Sequence, residues 1–213
     1  MPLFYVHQSP VIGVWKIVEP WQELLDLFHN KTLYADEVLK IQSDKRKSEW
    51  LAVRLLIKQL TGAEMLVDYK DNGAPFLRDS PYHISIAHTK GFAALMLSNQ
   101  THPGIDIEYR SERALRLCGK FLNPIELEQL SRLRTNYLPN QEEVFATLCW
   151  CAKETAFKAL QENDVDFIKH LQINPFTFSD KGVILLQETK THKKETYPIH
   201  YQVTDDYLLT WKA

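Results

Sequence analysis

The sequence predicts an α+β fold, because both halves of its 213 residues mix helical segments with strands that look mainly antiparallel. A long apolar periodicity at 43–60 indicates a helix, whereas the short strands after residue 171 are separated by turns. A parallel sheet would need a crossover helix between its strands. A hydrophobic content of 45% is enough for a sizeable core.

The first half, residues 1–100, is predicted to contain two strands, then three helical segments, then four more strands. Pro20 opens the first helix, 36–41 is a second, and 43–60 is the longest, with Ser43 or Asp44 as N-cap and Gly62 at its end. Residues 71–73 and 88–91 read as turns, so His88 is expected at a turn. The predicted strands are 4–6, 11–17, 65–69, 74–77, 82–87 and 92–97.

The second half, residues 101–213, begins with a strand at 104–108, after a candidate linker at 98–103. Apolar spacing predicts helices at 112–118, 124–133 and 142–160. Four short strands follow at 171–178, 183–187, 196–203 and 207–211.

Composition excludes several classes of protein. A net charge of −2 argues against a surface built for nucleic acid. The start lacks a basic leader, and no apolar run reaches a membrane span, so a cytoplasmic protein with no membrane partner is expected. Cys149 and Cys151 are either packed thiols or, less simply, part of a zinc site; side chains two apart on a helix point about 200° apart.

Asp106 and Glu108 stand two residues apart within the predicted strand 104–108. They share one face, and Ile105 and Ile107 share the other, which is expected to face the core. Two neighbouring carboxylates raise each other's pKa unless a cation intervenes. That cation is either a nearby arginine, at 110 or 113, or a Mg²⁺ ion, which prefers carboxylate oxygens.

Two further groups of charged residues are candidates for a functional site. Glu154 and Lys158, four apart on the 142–160 helix, are predicted to form an ion pair. Lys47, Arg54 and Lys58 form a basic stripe on the 43–60 helix, either a solvated face or an anion-binding rim. No G-x-x-x-x-G-K-[ST], G-x-G-x-x-G or G-x-S-x-G motif is present, which disfavours a P-loop ATPase, a dinucleotide fold and a serine hydrolase.

Three motifs in order resemble those of the 4′-phosphopantetheinyl transferases. They are S-I-A-H-T at 85–89, G-I-D-I-E at 104–108 and W-C-A-K-E-T-A-F-K at 150–158, where Thr155 replaces the usual Ala or Ser. The likeness extends from about Lys45 to Lys158. The chain length resembles the Sfp-like class, with two similar α+β halves related by a pseudo-twofold, rather than the short trimeric class.

The resemblance implies a holo-acyl-carrier-protein synthase, whose active site lies in the cleft between the halves. It transfers 4′-phosphopantetheine from coenzyme A to a serine of an acyl or peptidyl carrier protein, with Mg²⁺, and acts as a monomer. Asp106, Glu108 and Glu154 would bind the metal, and Glu154 and Lys158 would be catalytic. The residues implied to bind CoA are Arg46, Lys47, Ser85, His88, Thr89, Lys153 and Lys158.

One position departs from the family pattern. The family usually has G-K-P after the turn, and this chain has Gly73-Ala74-Pro75, which removes one lysine that meets a CoA phosphate. Lys70 or Lys90 could compensate. The departure keeps open a non-catalytic CoA- or carrier-binding protein, and a different Mg²⁺-dependent enzyme that cleaves pyrophosphates is a third alternative.

Overall fold

Antiparallel pairing joins every strand in the described part of the chain, and the strands form two sheets. The structure is a computed structural model that describes residues 3–8, 10–100, 102–135, 141–177 and 179–213. The chain divides into two compact units, Met1–Thr101 and His102–Ala213, each with one sheet and its own helices. The predicted α+β class is confirmed.

In the first unit, six strands form a sheet in the order β1-β2-β6-β5-β4-β3. They are β1 (Leu3–Gln8), β2 (Val11–Lys16), β3 (Val67–Tyr69), β4 (Pro75–Leu77), β5 (His83–Thr89) and β6 (Phe92–Ser98). The helices are α1 (Trp21–Asp26), α2 (Lys31–Leu39) and α3 (Asp44–Thr61).

Helix α3 begins and ends with the predicted signals. The Ser43 hydroxyl accepts a hydrogen bond from the Arg46 backbone N–H at 3.4 Å, and Gly62 ends the helix in the left-handed region at φ 76°. Leu51 and Leu55 are buried in one cluster with Trp15 of β2. Full burial of each such side chain contributes roughly 1.5–3 kcal/mol. This packing holds α3 on the sheet.

In the second unit, five strands form a sheet in the order β7-β11-β10-β9-β8. They are β7 (Gly104–Tyr109), β8 (Leu171–Ile173), β9 (Lys181–Glu188), β10 (Thr196–Val203) and β11 (Tyr207–Lys212). The helices are α4 (Arg113–Leu117), α5 (Pro124–Thr135), α6 (Gln141–Leu160) and α7 (Phe167–His170).

The core of the second unit lies between α6 and its sheet. Phe145, Leu148 and Ala152 of α6 are fully buried and join a cluster with Ile184 of β9 and Leu208 of β11. No helix among the described residues is both long and apolar enough to cross a membrane.

Several predicted boundaries differ from the structure. Helix α2 begins at Lys31, five residues before its predicted start, and β5 runs through His88 to Thr89, so the expected turn at 88–91 is a tight hairpin at Lys90-Gly91. Strand β8 ends at Ile173; residue 178 of that predicted strand and residue 101 of the predicted linker lie outside the described residues. These errors fall at element ends, where local signals are weakest.

Gly104 permits close packing of α6 against β7. A Cβ built on Gly104 would lie 2.1 Å from the Thr155 carbonyl oxygen and 3.2 Å from the Ala159 Cβ. The first is a backbone atom of a helix, which cannot move alone. Any side chain at position 104 would therefore push α6 away from β7.

Gly104→Ala is expected to lower the free energy of unfolding by about 3 kcal/mol, the upper end for overpacking, in urea titration. Gly119→Ala is the matched control, because a Cβ at Gly119 meets no atom within 4 Å. The control should change stability by less than about 0.5 kcal/mol. Equal stability of the two variants would contradict the close approach.

Candidate active site

Strand β7 presents its carboxylates to α6. Gly104, Asp106 and Glu108 alternate with Ile105 and Ile107, so the carboxylates lie on the face that the helix covers. Ile105 and Ile107 are buried on the opposite face, and they are not part of the apolar cluster under α6. The predicted division into two faces is correct, but the core helix packs on the carboxylate side.

Lys158 brings a positive charge to Asp106. Its ammonium donates to Asp106 Oδ1 at 2.8 Å and to the Ile105 carbonyl oxygen at 3.0 Å. Burial lowers the pKa of the Lys158 ammonium, but the Asp106 carboxylate outweighs this effect and raises that pKa above its ordinary value. Lys158 thus forms its ion pair with Asp106, between α6 and β7, and its charge also acts on Glu154, its predicted partner on the helix.

Glu154 lies on the same side of α6, near both carboxylates of β7. Burial, and then the charge of Asp106, raise the pKa of Glu154 to about 7; Glu108 adds to the effect and Lys158 opposes it. The three acids therefore share one electrostatic environment. A carboxyl group with a pKa near 7 can both hold and release a proton under physiological conditions.

The carboxylates fit a hard divalent cation in their chemistry. Asp106 is 7% exposed, and its Oδ2 is buried and accepts no hydrogen bond from the residues the structure describes. A buried carboxylate oxygen without a donor is costly, and a cation would relieve the cost. Within the described ranges, no three His, Cys, Asp or Glu side chains stand close enough to hold one ion as they are placed.

We expect the metal-free protein to lose stability as pH rises from about 4.5 to about 7. Over this range folded Glu154 keeps a proton that the unfolded chain releases, so unfolding releases protons and the free energy of unfolding falls with pH. The loss should reach up to about 3 kcal/mol. Urea titrations of the wild type and Glu154→Gln measure it; the variant should lack this component, and identical pH profiles would contradict the shift.

Lys153, expected to bind CoA, is instead completely buried. Its ammonium donates to Glu126 Oε2 at 2.7 Å and to the carbonyl oxygens of Phe121 at 2.8 Å and Phe167 at 3.0 Å. All three N–H bonds are used within the protein, so none is left for a phosphate. This corrects the sequence interpretation of Lys153: it ties the segments around Phe121 and Phe167 to α6.

Glu126 was missed by the sequence reasoning, although a local signal for it exists. Asn123-Pro124-Ile125-Glu126 is a capping box: Asn123 N donates to Glu126 Oε2 at 2.8 Å, and Glu126 N donates to Asn123 Oδ1 at 3.0 Å. Glu126 Oε1 also accepts from the Ile173 N–H at 2.8 Å. The capping role could be predicted from sequence, but the ion pair with Lys153 could not.

Lys153→Met is expected to cost about 3–5 kcal/mol of stability, because it leaves the Glu126 carboxylate buried without its cation. Thermal and urea unfolding measure the loss. Glu128→Ala is the control. It removes an exposed ion pair with Arg132 on α5, the helix that carries Glu126, and should cost under about 1 kcal/mol of stability. A stable Lys153→Met protein with weakened CoA binding would restore the original interpretation.

Arg46 and His88 come together in the first unit. Arg46 Nη1 contacts His88 Nε2 and donates to the Glu49 carboxylate at 3.1 Å. The Arg46 side chain is 51% exposed and that of His88 is 38% exposed. One residue of α3 and one of β5 thus meet at a partly exposed place, where the ring nitrogens of His88 face Arg46 and Glu49.

The basic stripe of Lys47, Arg54 and Lys58 serves packing. Lys47 pairs with Asp44 at 3.0 Å and lies 4.6 Å from the centre of the Trp21 ring, with its side chain 13% exposed. Arg54 is buried against the Trp50 ring, and Lys58 donates to the Leu27 carbonyl oxygen. The interpretation of this stripe as an anion-binding rim is therefore wrong, and Lys47, which was expected to bind CoA, has a structural role instead.

Ser85 and Thr89 lie on the other side of β5 from His88. Strand alternation places Ser85, Ala87 and Thr89 on one face, and all three are buried, whereas His88 is exposed on the opposite face. The motif 85–89 therefore does not present its three polar side chains to one phosphate along a single face of the strand.

Among the described residues, Cys149 and Cys151 belong to no group of three metal-ligating side chains. Cys149 and Cys151 are completely buried and free, and burial raises the pKa of both; acidic neighbours, Glu126 for Cys149 and Asp106 for Cys151, add to the effect. Packing is the better account of both residues.

Residues 103–212, just over half of the chain, match the 4′-phosphopantetheinyl transferase superfamily. The chain belongs to this superfamily. The matched segment contains the whole of the Asp106, Glu108, Glu154 and Lys158 cluster. Membership supports phosphopantetheinyl transfer as the general activity, with coenzyme A and a carrier protein as the partners that the family implies. No curated protein matches the chain.

Proposed function

We propose that this member of the superfamily transfers 4′-phosphopantetheine from coenzyme A to a serine of an acyl or peptidyl carrier protein in a Mg²⁺-dependent reaction. The observation that supports this proposal best is that the charges of Asp106 and Glu108 on β7 both act on Glu154 of α6, while Lys158 of α6 bonds Asp106. The proposal includes the Sfp-like class, a cytoplasmic monomer, and CoA nucleotide contacts within residues 1–100.

Asp106, Glu108 and Glu154 would hold the metal ion. Bound Mg²⁺ would neutralise negative charge on the pyrophosphate of CoA. Lys158 uses two N–H bonds on Asp106 and Ile105, and an ammonium has a third for a phosphate oxygen. The side chains at this site thus supply both acidic ligands and a fixed positive charge.

In the proposed reaction, the serine oxygen bonds to the phosphorus that carries pantetheine, and the bond to the leaving adenosine 3′,5′-bisphosphate breaks. Glu154, directly or through a metal-bound water, is the proposed base for the serine proton, because its carboxylate lies at this site. Lys158 offsets charge on the phosphoryl oxygens as the bond breaks. The protein forms no covalent intermediate.

A small pocket of about 100 Å³ lies beside Glu108. Its lining is chiefly apolar and hydroxyl-bearing, from Tyr109, Ser111, Leu117, Phe121, Thr147 and Trp150, and it includes the charged Arg113. An amide-containing chain needs apolar walls with a few hydrogen-bonding groups. Because a typical ligand pocket has at least about 300 Å³, the proposal places only one end of the pantetheine arm here, next to Glu108.

The wild type should label an apo carrier protein with a fluorescent CoA when Mg²⁺ is present, and EDTA should abolish the labelling. Asp106→Asn should lower the rate by about a hundredfold or more, because a metal ligand and the partner of Lys158 are both lost. Asp205→Asn, an exposed acid elsewhere in the same unit, is the control and should be fully active.

Labelling that survives both EDTA and Asp106→Asn would refute the metal assignment. CoA binding without labelling of any carrier would favour the non-catalytic alternative, for which Ala74 in place of the usual lysine is the motivating departure. Loss of the phosphopantetheine group to water without a carrier would favour a pyrophosphate-cleaving enzyme.

A further inference from the structure

A pair of hydroxyl groups joins α6 to the sheet inside the second unit. Thr155 Oγ1 lies 2.6 Å from Thr210 Oγ1, and it donates to the Thr210 carbonyl oxygen at 3.3 Å. Both side chains are completely buried. Because each hydroxyl has one proton, Thr155 donates to the carbonyl oxygen and Thr210 donates to Thr155. Each hydroxyl therefore has its partner within the protein.

Thr155 does not make the hydrogen bond that a threonine inside a helix usually makes. Thr147, about two turns earlier on α6, donates its hydroxyl to the Glu143 carbonyl oxygen, four residues back, at 2.8 Å. Thr155 instead bonds a strand residue 55 positions away. It is also the residue of the 150–158 motif that departs from the usual Ala or Ser, and neither the metal site nor the proposed chemistry uses it.

The hydroxyl pair lies next to the carboxylates. Thr210 of β11 is paired directly with Asp106 of β7, so the two side chains project from the same face of the sheet. Thr155 follows Glu154 in α6, and Lys158, about one turn later, donates to Asp106 at 2.8 Å. The threonine bond thus links the strand pair that carries Asp106 to the helix that carries Glu154.

The length of this contact decides how closely α6 approaches the sheet. Two carbon atoms pack at about 3.5–4.0 Å, so two methyl groups could not lie as close as the two hydroxyl oxygens do at 2.6 Å. Apolar side chains in place of the threonines would hold the helix about 1 Å farther from the strand. Metal–ligand distances vary by only about 0.2 Å, so a shift of this size changes the donor set.

We propose that Thr155 and Thr210 are positioning residues for the metal site. The inference rests on the proposed function, in which Asp106, Glu108 and Glu154 hold Mg²⁺. Neither threonine is a ligand; their bond fixes the distance between Glu154 on the helix and the two carboxylates on the strand. Alanine, usual in the family at position 155, should therefore weaken metal binding in this chain.

Mn²⁺ binding, measured by calorimetry on the full chain, tests this role without requiring transfer. The double variant Thr155→Val/Thr210→Val replaces both hydroxyls by methyl groups of the same shape, so neither hydroxyl is left buried without its partner. It should unfold near the wild-type urea midpoint but bind Mn²⁺ about tenfold to a hundredfold more weakly. Thr155→Ser keeps the hydroxyl and should bind Mn²⁺ as the wild type does.

Thr189→Val is the matched control. The Thr189 hydroxyl also joins separate elements of this unit, because it donates to the Lys169 carbonyl oxygen of α7 at 3.0 Å, and this bond lies outside α6, β7 and β11. The control should leave the Mn²⁺ dissociation constant unchanged. If the double variant does not fold, Thr155→Ala, which removes one hydroxyl without adding bulk, replaces it and should also weaken binding.

The outcomes separate the two hypotheses. A wild type that does not bind Mn²⁺ would refute the metal site of the proposed function itself. A wild type that binds the ion, with a double variant of equal affinity, would refute only the role of the threonines and leave their bond a structural contact. A loss in Thr189→Val as large as that in the double variant would also refute a role specific to this pair.

Discussion

The contact between α6 and β7 is the constraint on which the site depends. Gly104 lets the helix backbone at Thr155 approach the strand, and the Thr155 hydroxyl bonds Thr210 Oγ1 at 2.6 Å. Thr210 is paired directly with Asp106 across β7 and β11. The threonine bond therefore fixes α6 beside the residue that its lysine must reach. It also gives Thr155 a role that alanine, common in the family motif, could not fill.

Two neighbouring residues of α6, Lys153 and Glu154, point in different directions because a helix turns by about 100° per residue. Glu154 faces the carboxylates of β7, where its pKa is raised, and Lys153 points into the unit, where it neutralises Glu126. The buried pair holds the segment before α5 and the start of α7 against α6. The adjacent Lys153 and Glu154 of one motif thus lie in different surroundings, one in a buried ion pair and one beside the carboxylates of β7.

The sequence predicted much of this fold because its signals are local. Ser43, Gly62 and the apolar period of α3 are all within a few turns of one another, and β7 follows from simple alternation. The roles of Lys47, Lys153 and Lys158 could not be predicted in the same way. Each depends on a partner: Trp21, Glu126 and Asp106 lie 26, 27 and 52 residues away. A lone lysine in a motif carries no information about that partner.

The central claim, that Asp106, Glu108 and Glu154 form a divalent-cation site, is tested most directly by Mn²⁺ binding followed by electron paramagnetic resonance. Mn²⁺ takes the same oxygen ligands as Mg²⁺ and its free and bound forms are distinguishable. The wild type should bind one ion per chain at this site, and Asp106→Asn should lose it while Asp205→Asn keeps it. Equal binding by the wild type and Asp106→Asn would contradict the assignment.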